Sequence, residues 1–281
     1  MGGYWPGWPE LLLALLGGIM TLLPLVGLIG VFGLVIGSFL NVVIYRVPRE
    51  ESLVSPGSHC PSCDVPIKGR HNVPVLSWLV LRGRCASCKT RISPRYPLVE
   101  AGTAALFVAI TVHFGLSAQL PAYLYLAAVG ITLLMIDVDL RQLPNSIVLP
   151  SYVVGVLLLM PAGAVDGDWS QAVRALAGMA ALWAIYFALA IAYPLWMSFS
   201  DANLAGLLGL YLGWLSWGAL LIGGFGAFLI GGVGGATLLA TGRTDRKSAI
   251  PFGACLILAA AVALFLAVPV TRWYGSILSI A

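Results

Sequence analysis

Long apolar runs separated by short polar segments dominate this chain. A helix that crosses a bilayer needs about 20 predominantly apolar residues. Eight stretches come close to that length: residues 11–45, 98–116, 121–140, 146–163, 172–195, 203–222, 224–241 and 252–271. The pattern predicts an all-α polytopic membrane protein with about eight transmembrane helices. The division within 203–241 is the least distinct, because glycines blur the turn.

Composition excludes the two common non-membrane classes. The chain has 281 residues, of which 60% are hydrophobic and 9% are charged, whereas soluble domains carry about 25% charged residues. A soluble globular protein would have too little polar surface. A disordered chain would lack the aliphatic and aromatic side chains that are abundant here.

The basic residues are concentrated in one interruption of the apolar pattern. Nine of the fifteen Lys and Arg residues lie between Arg46 and Arg95. Cytoplasmic loops carry such an excess, so this segment is predicted to be cytoplasmic. No aromatic residues alternate with the basic ones as in base-stacking surfaces, so we expect no nucleic-acid partner. The same orientation places a second cluster, Arg243, Arg246 and Lys247, on the cytoplasmic side and leaves Arg174 and Arg272 near outer ends.

The polar segment also contains two CxxC motifs, Cys60-Pro-Ser-Cys63 and Cys85-Ala-Ser-Cys88, with 21 residues between them. Two such pairs can complete a tetrahedral four-sulfur zinc site, which is structural because no position stays open for water. The alternatives are four unrelated cysteines or a redox pair. His59 is a weaker competing ligand, and Cys255 is interpreted as a buried apolar filler within a predicted helix.

Three acidic residues, Asp137, Asp139 and Asp201, stand within or at the ends of predicted spans, on the same side. Ionisable residues at such positions are functional candidates. Asp139 could equally be a solvated helix end paired with Arg141. Asp137 and Asp201 come from different helices at one depth, and a pair of carboxyl groups can activate a water and protonate an amide leaving group. They are therefore the candidate catalytic residues of an aspartyl protease.

Several motifs together resemble the type IV prepilin peptidases, which are leader peptidases and N-methyltransferases of the GxGD aspartyl protease type. The resemblance covers nearly the whole chain. It rests on Gly37-Ser-Phe-Leu-Asn-Val-Val-Ile-Tyr-Arg46, the CxxC motifs, Asn72-Val-Pro-Val-Leu-Ser-Trp78, Leu81-Arg-Gly-Arg-Cys85, Arg95-Tyr-Pro-Leu-Val-Glu100, Asp137-Val-Asp-Leu-Arg-Gln-Leu-Pro-Asn145 and Ile250-Pro-Phe-Gly253.

The resemblance implies cleavage of prepilin or pseudopilin leaders at the cytoplasmic face of the bacterial inner membrane, serving a type IV pilus or type II secretion. N-methylation of the new N-terminus from S-adenosylmethionine would follow. No S-adenosylmethionine site is identifiable. The implied organisation is a first span with its signature at 1–46, a zinc-binding, methyltransferase-associated domain at 47–97, and a transmembrane peptidase domain at 98–281.

The second aspartate motif departs from the family pattern Gly-x-Gly-Asp-x-Lys. This chain has Ser198-Phe-Ser-Asp201-Ala-Asn203. If the glycines allow a positive φ or a close backbone approach, the serines would strain the backbone and displace Asp201. Restoring both glycines, with or without Asn203→Lys, is then expected to raise activity. The departure keeps open a catalytically impaired relative that binds pilin precursors. A transporter using the aspartates as a proton relay is a further alternative.

Overall fold

The structure is a computed structural model that describes residues 8–60, 62–167, 169–194, 197–240 and 251–278. Side chains are described from residue 23 onward within these ranges, apart from residues 166, 235, 238–240 and 267–278. The basic cluster at Arg243, Arg246 and Lys247, together with Ile250 and the side chain of Arg272, lies outside what is described.

The described residues are almost entirely helical and contain no β-strand, only two isolated bridges. In chain order the helices are α1 (Trp8–Arg46), α2 (Leu76–Val80), α3 (Arg95–Phe114), α4 (Leu120–Leu140), α5 (Asn145–Asp166), α6 (Ser170–Ala192), α7 (Phe199–Leu215), α8 (Trp217–Ala240) and α9 (Phe252–Leu278). Within the described residues, α1, α3, α4, α5, α6 and α8 contain six segments long and apolar enough to cross a membrane. The predicted polytopic all-α class is confirmed.

The turn between α7 and α8 does not lie where the sequence suggested. The predicted break fell near Gly223, between 203–222 and 224–241, but the chain turns at Ser216. Ser216 has an extended backbone, and its Oγ accepts a hydrogen bond from the Ala219 N–H at 3.0 Å. Gly223 lies inside α8, where an added Cβ would collide with Leu212. Membrane helices use small residues for such close packing, so glycine is a poor turn marker here.

The helices form two units. The first comprises Met1–Asn41 and Pro56–Gly115. Within it, α1 packs closely on α3, because a Cβ at Gly37 would lie 2.7 Å from Glu100 Cα. The Asn41 side-chain amide donates to the Tyr96 carbonyl at 3.1 Å near the start of α3. This unit also carries both CxxC motifs.

The second unit comprises Val42–Ser55 and Leu116–Ala281. In it α6 packs along α7, and α8 packs along α9. Gly178 and Gly209 meet at the first of these contacts, where a Cβ at Gly178 would lie 2.8 Å from the Gly209 carbonyl oxygen. Fully buried Tyr123 donates from its hydroxyl to the Tyr211 carbonyl at 3.0 Å, which joins α4 to α7. This unit holds both candidate catalytic aspartates.

Candidate active site and cysteine cluster

Asp137 lies in the last turn of α4 and is 4% exposed. Its Oδ2 accepts a hydrogen bond from the Ala254 N–H at 2.7 Å, in the first turn of α9. The helix stops immediately afterwards, because Arg141 adopts a left-handed conformation and its N–H donates to the Asp137 carbonyl. Asp139 is exposed, since residues two positions apart on a helix face in different directions.

Gly253 permits the close approach of α9 to Asp137. A Cβ added at Gly253 would lie 3.0 Å from Asp137 Oδ2 and 2.7 Å from Leu143 Cδ1. Any larger residue would therefore press on both the carboxylate and the segment that follows α4. The motif Ile250-Pro-Phe-Gly253 contains this glycine, but nothing in those residues by themselves links it to Asp137.

Asp201 lies in the first turn of α7 and is 7% exposed. It forms a capping box with Ser198, the residue before the helix. Asp201 Oδ2 accepts from the Ser198 N–H at 2.7 Å and from the Ser198 hydroxyl at 2.8 Å. The Ser198 Oγ in turn lies 3.3 Å from the Asp201 N–H and accepts from it. The carboxylate is thus held against the N-terminus of its own helix, where negative charge is stabilised.

The expectation that the serines strain the backbone through a positive φ is wrong. Ser198 has φ −101° and ψ 161°, an extended conformation open to any residue. Ser200 lies within α7, and neither serine is among the positive-φ residues of the described chain. Asp201 is therefore not displaced by a strained backbone. Instead, Ser198 supplies a side-chain cap that glycine cannot provide.

The carboxyl groups of Asp137 and Asp201 lie close enough to interact electrostatically. Both belong to the second unit, and the ends of α4, α7 and α9 bring them together. Two buried carboxyl groups in proximity share a proton rather than both ionising. Such a pair can supply one acid and one base.

Asn203 links the two aspartate motifs. Its side-chain nitrogen donates to Asn145 Oδ1 at 3.2 Å, and its side-chain oxygen accepts from Trp183 Nε1 at 3.1 Å. It borders an open groove of about 470 Å³, mostly apolar, that is lined by Leu149, Tyr152, Met179, Ala180, Trp183 and Asn203. The neutral amide, where the family pattern has lysine, thus has polar partners on α5 and α6.

The four loop cysteines converge in the first unit. Their sulfurs lie within 4.8 Å of one another, and the group could hold a metal ion. The Cys60 and Cys88 sulfurs are 3.8 Å apart, and the cysteines are unbridged. Four sulfurs placed about 2.3 Å from a tetrahedral zinc ion have edges of about 3.8 Å. His59 lies outside this group, with its Nδ1 3.0 Å from the Gly57 carbonyl oxygen.

Both halves of the cluster have the same backbone form. The N–H of Cys60 donates to Val65 O at 3.1 Å, and that of Cys85 donates to Thr90 O at 2.9 Å. In each half the residue after the second cysteine, Asp64 or Lys89, has a positive φ. Each turn thereby brings its two sulfurs to the same side.

Proton affinities differ sharply among the thiols. Hydrogen bonding with the Thr90 side chain and backbone lowers the pKa of Cys88 to about 6. A backbone hydrogen bond from Val65 lowers the pKa of Cys63, but desolvation and the neighbouring sulfurs together raise it to about 12. Four thiols this close cannot all ionise without a cation. A metal ion is the group that would allow it.

The fold and these two sites define a polytopic membrane protein with a buried aspartate pair and a four-cysteine loop. The family described as bacterial peptidase A24 N-terminal domain matches residues 31–114. A prepilin leader peptidase/N-methyltransferase from Aeromonas hydrophila is 37% identical over 278 residues, covering 88% of this chain and 92% of that protein. This chain belongs to the prepilin leader peptidase/N-methyltransferase family.

Other relatives carry the same name. The protein from Stutzerimonas stutzeri is 35% identical, covering 87% of this chain and 91% of its own length. The protein from Neisseria gonorrhoeae is 39% identical, covering 67% of this chain and 74% of its own length. No solved structure matches the chain. The resemblance inferred from the motifs is confirmed.

Proposed function

We infer that this protein is an aspartic endopeptidase that cleaves the leader peptide of prepilins or pseudopilins and then N-methylates the new N-terminus. The observation that carries the peptidase assignment is the buried, interacting pair Asp137 and Asp201. The names of relatives that match over most of the chain support both activities. With this support, neither a transporter nor a non-catalytic binding protein is favoured.

The chemistry that we propose uses both carboxyl groups. One of them, ionised, takes a proton from a water as the water oxygen bonds to the carbonyl carbon of the scissile peptide. The other, protonated, donates its proton as the C–N bond breaks and the amine leaves. The result is a free carboxylate on the leader and a free N-terminus on the mature chain. Burial of Asp137 and Asp201 strengthens the electrostatic contribution of each group.

We further propose that Cys60, Cys63, Cys85 and Cys88 bind one structural zinc ion. Zinc would stabilise the thiolates by offsetting part of their charge, and it would stabilise the fold of a segment of about 50 residues, a size at which metals commonly replace a core. Residues 47–97 would then form the methyltransferase-associated domain and 98–281 the peptidase domain. S-adenosylmethionine is the proposed methyl donor.

We propose that the protein lies in the inner membrane of a bacterium. The basic residues of the loop support a cytoplasmic location for residues 47–97. Successive membrane crossings from that loop then bring the end of α4 to the cytoplasmic side. Asp137 would meet the substrate where a basic leader precedes a hydrophobic helix. The substrate partners are thus prepilin or pseudopilin precursors, in contact with membrane lipid.

The test is cleavage of a prepilin by the purified full-length protein in detergent, followed by the electrophoretic shift of the substrate. Asp137→Asn and Asp201→Asn should each abolish cleavage, because asparagine can neither take up nor give up the required proton. Each variant should elute as the parent does in size-exclusion chromatography.

The matched control is Asp139→Asn, because Asp139 is exposed on the same helix turn as Asp137. This variant should cleave at close to the parental rate. Loss of cleavage in Asp139→Asn together with retained cleavage in Asp137→Asn would reverse the assignment. Cleavage by both Asp137→Asn and Asp201→Asn would refute the aspartyl mechanism.

A further inference from the structure

We propose that Ser198 is a positioning residue for Asp201. The Ser198 hydroxyl holds one oxygen of the Asp201 carboxyl group, so that the other oxygen faces the peptide bond to be cleaved. This inference rests on the proposed peptidase function of the aspartate pair. It concerns Ser198, which stands where the family pattern quoted above has glycine.

The geometry around Asp201 is a closed set of short hydrogen bonds. The Ser198 N–H and hydroxyl both donate to the same carboxyl oxygen, Oδ2, at 2.7 and 2.8 Å. The hydroxyl oxygen also accepts from the Asp201 N–H at 3.3 Å. One serine therefore restrains both the backbone and the side chain of Asp201. Hydrogen bonds to a charged carboxylate are stronger than neutral ones.

The partner aspartate is held in a similar way but with fewer contacts. Asp137 Oδ2 accepts from the Ala254 N–H at 2.7 Å, also at the start of a helix. Each carboxylate is thus anchored through Oδ2 to a backbone N–H at a helix N-terminus. Asp137 is additionally confined by the close approach of Gly253, where an added Cβ would lie 3.0 Å from its Oδ2. At Asp201 the confinement comes from the Ser198 hydroxyl.

Ser198 can be exchanged without disturbing its backbone. Its extended φ of −101° suits glycine, alanine, serine and threonine alike. Glycine or alanine would keep the N–H donor and lose the hydroxyl, whereas threonine would keep both. The structure thereby predicts the reverse of the sequence-based expectation: glycine at position 198 should slow the enzyme.

The experiment measures kcat and KM for prepilin cleavage by the full-length protein in detergent. Ser198→Ala and Ser198→Gly should each lower kcat about tenfold to a hundredfold, because misplacing a catalytic group by about 1 Å can cost a hundredfold. KM should change little, since the hydrogen bonds of the hydroxyl within the described residues are made to Asp201. Ser198→Thr should restore most of kcat.

The matched control is Ser200→Ala, on the first turn of α7 in the same motif. Within the described part of the chain, the Ser200 side chain makes no hydrogen bond to Asp201. Its variant should keep the parental kcat. Thermal unfolding of each variant in detergent checks that the fold is intact, and Ser198→Thr against Ser198→Gly remains decisive if the alanine variant is unstable.

Two results would overturn the proposal. The first is parental kcat in both Ser198→Ala and Ser198→Gly, which would leave the peptidase assignment standing. The second is a threonine variant as slow as the glycine variant. If the parent itself does not cleave prepilin, the peptidase assignment fails, and the role of Ser198 falls with it.

Discussion

The surroundings of each carboxyl group distinguish the candidate catalytic acids from exposed Asp139. Asp137 and Asp139 are two residues apart, yet the first is buried against α9 and the second is exposed. Asp201 is buried and capped by Ser198. The difference arises from helix geometry and from a backbone N–H contributed by a distant segment. Residue type alone does not distinguish these carboxylates.

Gly253 offers the sharpest test at this scale. Gly253→Ala would place a methyl group 3.0 Å from Asp137 Oδ2, so we expect α9 to shift and the Ala254 hydrogen bond to weaken. Cleavage should slow about tenfold or more, since catalytic groups tolerate little displacement. Rates of prepilin cleavage measure the effect.

Gly102→Ala is the matched control, because no atom lies within 4 Å of a Cβ added there. Alanine is also favoured over glycine inside a helix, so this variant should fold and cleave as the parent does. Equal cleavage by the Gly253→Ala variant would show that Asp137 does not depend on this close approach.

In the second unit, the candidate catalytic aspartates and several polar side chains that bond to backbone groups lie at the ends of helices. The aspartates lie at the end of α4 and the start of α7, and Ser216 immediately precedes α8. At the other end of α7, Arg174 donates to the carbonyls of Gly213 and Trp214, both at 2.6 Å, and of Leu215 at 3.1 Å. A cation there also offsets the helix dipole. This explains a basic residue that the charge distribution alone left as an exception.

Arg174→Met should therefore destabilise the α6–α7 pair. Each hydrogen bond to a charged group contributes about 1.5–3 kcal/mol, and three would be lost. We expect a lower midpoint of thermal unfolding in detergent. Arg174→Lys, which keeps the charge but not the planar fork, should fall between the parent and the methionine variant. A methionine variant as stable as the parent would contradict this cap.

On the scale of the whole molecule, the two candidate sites belong to different units. The cysteine cluster lies in the unit of Met1–Asn41 and Pro56–Gly115, and the aspartate pair lies in the unit of Val42–Ser55 and Leu116–Ala281. The candidate metal site and the proposed catalytic pair thus lie in different units. Loss of one need not abolish the other.

Metal analysis should find one zinc ion per chain in the purified protein. Replacing both Cys60 and Cys85 by serine should remove the zinc, because two of the four sulfurs at the cluster are lost. The loop of the variant should become more sensitive to limited proteolysis. Asp137→Asn should retain full zinc content, since Asp137 lies in the other unit.

Cys255→Ser provides the matched control for the metal measurement. Cys255 is buried in α9 and lies outside the four-sulfur group. Its replacement should leave one zinc ion per chain. Zinc retained after the loss of Cys60 and Cys85 would exclude the four-cysteine site.

The sequence alone was sufficient for the membrane class, the family and the grouping of the cysteines. Apolar length and charge deficit are properties of a local stretch, and a CxxC turn brings two sulfurs together within four residues. The predicted helix boundary near Gly223 was wrong, because glycine occurs both in turns and at close contacts between helices. Local patterns do not separate these two uses.

The tertiary structure decided what surrounds the aspartates. Ala254 reaches Asp137 from 117 positions along the chain, and Asn203 reaches Asn145 from 58. Such contacts depend on how helices pack, which no local pattern records. Even the capping box at Ser198, visible as a serine three residues before an aspartate, required an observed φ of −101° to be distinguished from a strained turn. The sequence determined which groups are present, and helix packing determined which of them meet.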